Sequence, residues 1–157
     1  MRIATHNANM VIARRLEALA PHVLKLLAQK WYRRLGSATY KHPIVDVFLV
    51  SPRKMREIKQ EFLIAKQGVK KLPPRKIVDV LAFPEPNNFP HPDRGENFLG
   101  EVYINAEIFD ENPERGASLF VHGFLHLLGY GHTKKRDRIM MEKAEKKLLK
   151  KLKFKNI

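Results

Sequence analysis

Cysteine is absent from the 157 residues, so no disulfide framework holds the fold, and any bound metal must be held through nitrogen and oxygen. No run approaches the roughly 18 consecutive apolar residues that a membrane-spanning helix requires. The opening stretch "MRIATHNANMVIARRLEAL" lacks the apolar core and small-residue cleavage site of a secretory signal. The expectation is a cytoplasmic protein without membrane contact. Gly/Ser linkers and internal repeats are missing too, which leaves a single domain over residues 1–157. Acidic residues are scarce: 16 Asp and Glu stand against 30 Lys and Arg, a formal charge of +14. A field of that sign favours polyanions such as RNA, DNA, ribosomes or anionic lipid. Much of the excess lies at the end of the chain. Between Lys134 and Ile157, eleven basic residues face three acids, +8 of the total. A lysine-rich stretch of this kind also reads as an ordinary solvated helix face.

What the chain does contain is enough apolar material, 44% of its residues, to build a core. A strand at Met1–Thr5 is expected. Residues 11–35 carry leucines near helical spacing, with Pro21 as a break. "IVDVFLV" (44–50) is β-branched and bounded by prolines, which predicts a strand. Ser51 and Pro52 then open a helix bearing Met55, Ile58, Phe62 and Leu63. "IVDVLAF" (77–83) and "FLGEVYIN" (98–105) predict two further strands, separated by a proline-rich loop over 84–98. Asn112, Pro113 and Glu114 cap a helix running to about Leu128, and Gly129 suits its end. Leu119, Phe120, Phe124, Leu125, Leu127 and Leu128 surround that helix with apolar side chains, so it is expected to be central and buried. A last helix over 134–152 has Met141, Ala144, Leu148 and Leu152 on one stripe. The pattern predicts an α+β fold: a small mixed sheet packed with helices, the central helix among them.

The chemistry is concentrated in "HGFLHLLGYGH", residues 122–132. His122 and His126, four apart, project from one helix face. A continuing helix would carry His132 away from them. Gly129 can adopt positive φ and turn the chain back, and Gly131 adds freedom. The spacing therefore builds a site of three imidazoles with a fourth position open, the arrangement of catalytic zinc. Nickel, cobalt and copper also suit imidazole. His6, His22, His42 and His91 show no comparable spacing and read as surface residues. The metzincin proteases share the three-histidine spacing but place a glutamate directly after the first histidine as general base. Gly123 occupies that position here, which argues against peptide hydrolysis.

These residues resemble the YbeY endoribonucleases, also called ribosomal RNA maturation factors. Their hallmark H-G-x-L-H-L-x-G-Y-D-H is matched by "HGFLHLLGYGH" at every fixed position but one. "VDVLAFP" (78–84) is similar to the family's T-D-V-L-S-F-P, and "LGEVYIN" (99–105) to its L-G-D-I-x-I-S. The likeness covers roughly residues 44–150. It implies a zinc-type ion on His122, His126 and His132, and cleavage of single-stranded RNA. It also implies a partner in ribosomal RNA and the ribosome, particularly the small subunit, in maturation and quality control. Departures are specific. Gly131 replaces the family's Asp, and Leu63, in "IKQEFL", stands where the family usually has Arg. Val78 and Ala82 replace a Thr and a Ser. Glu101, after the Gly of "LGE", and Asp79, in the second-strand motif, are the candidate general bases, and both also read as structural. Lys70, Lys71, Arg75 and Lys76 are candidates for holding RNA phosphates. Beside the nuclease stands a second expectation, motivated by Gly131 and Leu63: an RNA- or ribosome-binding assembly factor whose metal site is mainly structural.

Overall fold

A computed structural model describes residues 2–6, 44–67, 78–85 and 98–152, with side chains for 44–64, 78–85 and 98–150. The architecture is α+β. Four strands, β1 (Arg2–His6), β2 (Ile44–Val50), β3 (Val80–Pro84) and β4 (Phe98–Asn105), form one sheet in the order β1-β2-β4-β3. The helices described are α1 (Pro52–Gln67), α2 (Ala106–Glu111), α3 (Pro113–Leu127) and α4 (Lys135–Leu152). β1 runs parallel to β2 and β2 to β4, whereas β3 is antiparallel to β4, so the sheet is mixed. None of the described helices is long and apolar enough to cross a membrane.

The period-2 pattern of β2 decides which face is which. Val45, Val47 and Leu49 are buried at 0–3% exposure, and their partners in register include Val102 and Ile104 of β4. Val80 and Ala82 of β3 pair with Ile104 and Val102, extending the same aliphatic face. α3 lies on it. The opposite face is aromatic: Phe48 stacks on Tyr103 at 4.6 Å, and Phe83 meets both Tyr103 and Phe62 of α1 edge-on. The sheet is thereby sandwiched between α3 and α1.

Local signals place the helices. Ser51 caps α1, its Oγ accepting from the Lys54 amide at 3.3 Å, with Pro52 in the first turn. Asn112 caps α3 in the same way through the Arg115 amide at 3.0 Å, followed by Pro113 and Glu114. α3 is buried on most sides, through Phe120, Val121, Phe124, Leu125 and Leu127. Each such side chain contributes roughly 1.5–3 kcal/mol relative to exposure. α4 rests on α3 by the expected stripe, with Met141 and Leu148 buried and Ala144 packed against the core.

Two boundaries and one element differ from the sequence expectation. The strand predicted over 77–83 runs from Val80 to Pro84. Asp79 lies just before it: its carbonyl accepts from the Asn105 amide of β4 at 3.0 Å, and its carboxylate accepts from Arg115 in the first turn of α3. Pro84 is tolerated because β3 is an edge strand among the described residues. The short helix α2 was not expected; Asn105 ends β4 and caps α2 at once, accepting from the Glu107 amide at 3.1 Å. The N-terminal strand is described over Arg2–His6 and ends one residue beyond the expected Thr5. The predicted 11–35 helix and residues 86–97 of the 84–98 loop lie outside the described residues, and Phe98 begins β4.

At Gly123, α3 lies close against the sheet. A Cβ built there would lie 2.7 Å from a Val102 methyl and 3.0 Å from a Val80 methyl. Gly123→Val is therefore expected to lose about 1–3 kcal/mol of stability by overpacking. Val102→Ala in the same chain should recover part of that loss. Urea unfolding midpoints of the single and double variants check both statements.

Candidate metal centre

α3 ends in a Schellman turn. The Gly129 amide donates to the His126 carbonyl at 2.9 Å and the Tyr130 amide to the Leu125 carbonyl at 3.0 Å. Gly129 takes φ +78°, the left-handed conformation that this turn demands. Tyr130 packs its ring against the core, the apolar contact that accompanies such turns. The chain is reversed within four residues, and His132 returns to the helix it has just left.

The result brings the three histidines together. Their ligand nitrogens lie within 4.8 Å of one another. The ring centroids are 4.7 Å apart for His122 and His126, 4.9 Å for His126 and His132, and 5.6 Å for His122 and His132. His122 and His126 are half-buried, while His132 is exposed, so the cluster opens to solvent on that side.

Two hydrogen bonds fix the tautomers. His126 Nδ1–H donates to the Tyr130 carbonyl at 2.9 Å, so the turn that redirects the chain also orients the ring. His122 Nδ1–H donates to the carboxylate of Glu145 on α4 at 2.5 Å. In neutral rings so held, both Nε2 atoms carry lone pairs, and they face each other at 3.0 Å. Two lone pairs at that separation repel unless a cation lies between them. The spacing is close to the roughly 3.3 Å that two nitrogens about 2.0 Å from one tetrahedral zinc would have. The donor set thus fits a divalent transition metal, with His122, His126 and His132 as the residues that could hold it.

Glu145 is the site residue that sequence reading missed. It lies 13 positions beyond His132 in a helix dominated by lysine, and only the packing of α4 on α3 turns it to the histidines. The two candidate bases lie elsewhere. The Asp79 carboxylate binds Arg115 at 2.9 Å in the first turn of α3, whereas the histidine pair is two to three turns further along. Glu101 accepts from the Tyr103 hydroxyl at 2.9 Å and is paired in register with Phe83, on the sheet face turned away from α3. Leu63 is partly buried near the end of α1. Val78 is buried and Ala82 packs against the core, so apolar residues suit both positions. Gly131 has open space around it: a Cβ there would meet nothing within 4 Å. Lys70, Lys71, Arg75 and Lys76 fall outside the described residues, as do His22, His42, His91 and the side chain of His6.

Burial pushes His126 below the ordinary histidine range; the neighbouring rings of His122 and His132 add to this, and the Tyr130 carbonyl and Glu145 oppose it. Neutral at pH 7, its Nε2 is available as a ligand. The folded protein binds that proton less tightly than the unfolded chain does. The associated stability is therefore present above about pH 6.5 and is lost as the pH falls through the depressed value. In metal-free protein, His126→Gln should flatten the acid limb of the stability curve, read as denaturation midpoint against pH.

The comparisons with known proteins agree with this geometry. The family model described as endoribonuclease YbeY matches residues 2–153. An endoribonuclease YbeY from Thermodesulfovibrio yellowstonii is 29% identical over 143 residues, covering 83% of this chain and 82% of the relative. One from Helicobacter pylori strain J99 is 35% identical over 110 residues, covering 65% of this chain and 67% of the relative. The solution structure of a Thermotoga maritima protein superposes with a TM-score of 0.55 at 22% identity, over 96% of this chain and 89% of that one, and shares the fold. With its family model matched over residues 2–153 and its histidine motif assembled in space, the chain belongs to the endoribonuclease YbeY family.

Proposed function

We propose that this protein is a metal-dependent endoribonuclease that cleaves single-stranded RNA and acts in the cytoplasm on ribosomal RNA, chiefly that of the small subunit, in ribosome maturation and quality control. One observation carries the reading: three imidazoles converge at the solvent-accessible end of a buried helix. Zinc matches a site of three nitrogen ligands with one position left for chemistry. When bound, such an ion supplies Lewis-acid charge to polarise a phosphodiester and to acidify water. The chain's own contribution is positioning. The Tyr130 carbonyl and Glu145 hold two rings in one tautomer, and the sheet behind α3 keeps the helix from yielding.

Substrate holding is supported by the outer face of α4. Lys135, Arg136, Lys143, Lys146, Lys147 and Lys150 are exposed there, and none forms an ion pair among the described residues. At 3.6 residues per turn they occupy an arc of about 120° along a helix roughly 27 Å long. Unpaired cations in a row bind a phosphate backbone without reading its sequence.

Gly131 and Leu63 support the second reading, an RNA- or ribosome-binding assembly factor with a mainly structural metal. It differs in one measurable respect: tight ribosome co-sedimentation with no turnover of RNA. Protein stripped of metal should lose cleavage of single-stranded RNA and regain it with zinc, and His126→Ala should abolish it. Undiminished cleavage by pure His126→Ala protein would sink the assignment. Replacing Lys143 and Lys147 by Gln should also make RNA affinity less salt-dependent, lowering the log–log slope by about 0.7 for each phosphate no longer neutralised.

A further inference from the structure

His122 and Glu145 stand on different helices, 23 residues apart, yet the carboxylate Oε1 lies 2.5 Å from Nδ1 of the ring. The two side chains are only 32% and 24% exposed, so the contact is sheltered. The composition of α4 makes it specific. Helical neighbours three and four positions away could pair with Glu145, but those positions hold Met141, Glu142, Leu148 and Leu149, none of them basic. Glu142, one turn earlier, is exposed and reaches Arg138 at 3.9 Å in the ordinary surface manner. In a helix carrying so many lysines, Glu145 instead accepts from an imidazole on another helix.

We propose that Glu145 is a positioning residue of the histidine site, holding His122 in the Nδ1–H tautomer and strengthening its Nε2 as a metal ligand. This rests on the reading of the three histidines as a metal site. The two rings facing each other are backed differently. His126 leans on a neutral carbonyl from its own turn, whereas His122 leans on an anion delivered by another helix. A carboxylate behind a ligating imidazole raises its basicity, and outer partners of this kind are typically worth about 10–100-fold in metal affinity. α4 therefore contributes to the site without supplying a ligand.

The test is zinc titration against a chromophoric chelator, with the His122 tautomer read from long-range nitrogen–proton NMR correlations, in wild type, Glu145→Ala and Glu145→Gln. Glu145→Ala should bind zinc about 10–100-fold more weakly and lose the Nδ1–H preference. Glu145→Gln should keep the tautomer, since its amide oxygen still accepts, and fall between the two in affinity. If Glu145 merely docks α4, Glu145→Ala will lower the unfolding midpoint but leave the tautomer and zinc affinity unchanged, which overturns the proposal. Should Glu145→Ala fail to fold, the near-isosteric Glu145→Gln decides alone, and wild-type zinc affinity in that variant overturns it. A wild-type chain that takes up no zinc overturns the site reading itself, and this proposal with it.

Discussion

The close seat of α3 on the sheet is the contact on which the rest depends. Gly123 lets the helix backbone approach Val102 and Val80 with no side chain between them. From that seat Phe120, Val121, Phe124 and Leu125 are driven to 0–1% exposure. A helix buried so fully has only a narrow strip left for chemistry, and His122 and His126 occupy it. The residue that departs from the protease pattern is thus also a packing requirement: a glutamate at position 123 would run into β3 and β4.

The turn after α3 serves two ends. It returns His132 to the pair, and it presents the Tyr130 carbonyl to His126. The placement of one ring and the tautomer of another come from one piece of backbone. Gly131 differs in kind from Gly129. Gly129 is required by its positive φ, whereas Gly131 lies in open space that would admit a larger side chain. Packing does not forbid the family's Asp at that position, so the reason for glycine there is not steric.

Much of the fold was legible in the sequence because its signals are local. The Asn112–Pro113–Glu114 cap, the alternation in Ile44–Val50 and the glycine stop at 129 each act over a few residues, and each appears in the structure. The three histidines were legible for the same reason, since a helix face and one turn suffice to bring them together. What escaped is what depends on distant partners. Just before β3, Asp79 accepts from the Asn105 amide and the Arg115 guanidinium, partners that no window of sequence contains. α2 hides in six residues between a strand and a helix, each with a stronger signal. Glu145 was invisible because a glutamate among lysines looks like any other until α4 is laid against α3.

The three histidines span residues 122 to 132, eleven positions of chain. Closing a loop so short costs little entropy, and an ion that closes it restrains little of the unfolded chain. Metal held there fastens the end of α3 to the segment just beyond, while the pairings of β1 with β2 and of β2 with β4 join segments more than forty residues apart by other means. Small zinc domains whose ligands bracket the whole fold collapse when stripped. Here the packing of the sheet and its helices does not run through the three histidines, so an ion held there would be bound by the fold and would not be what forms it.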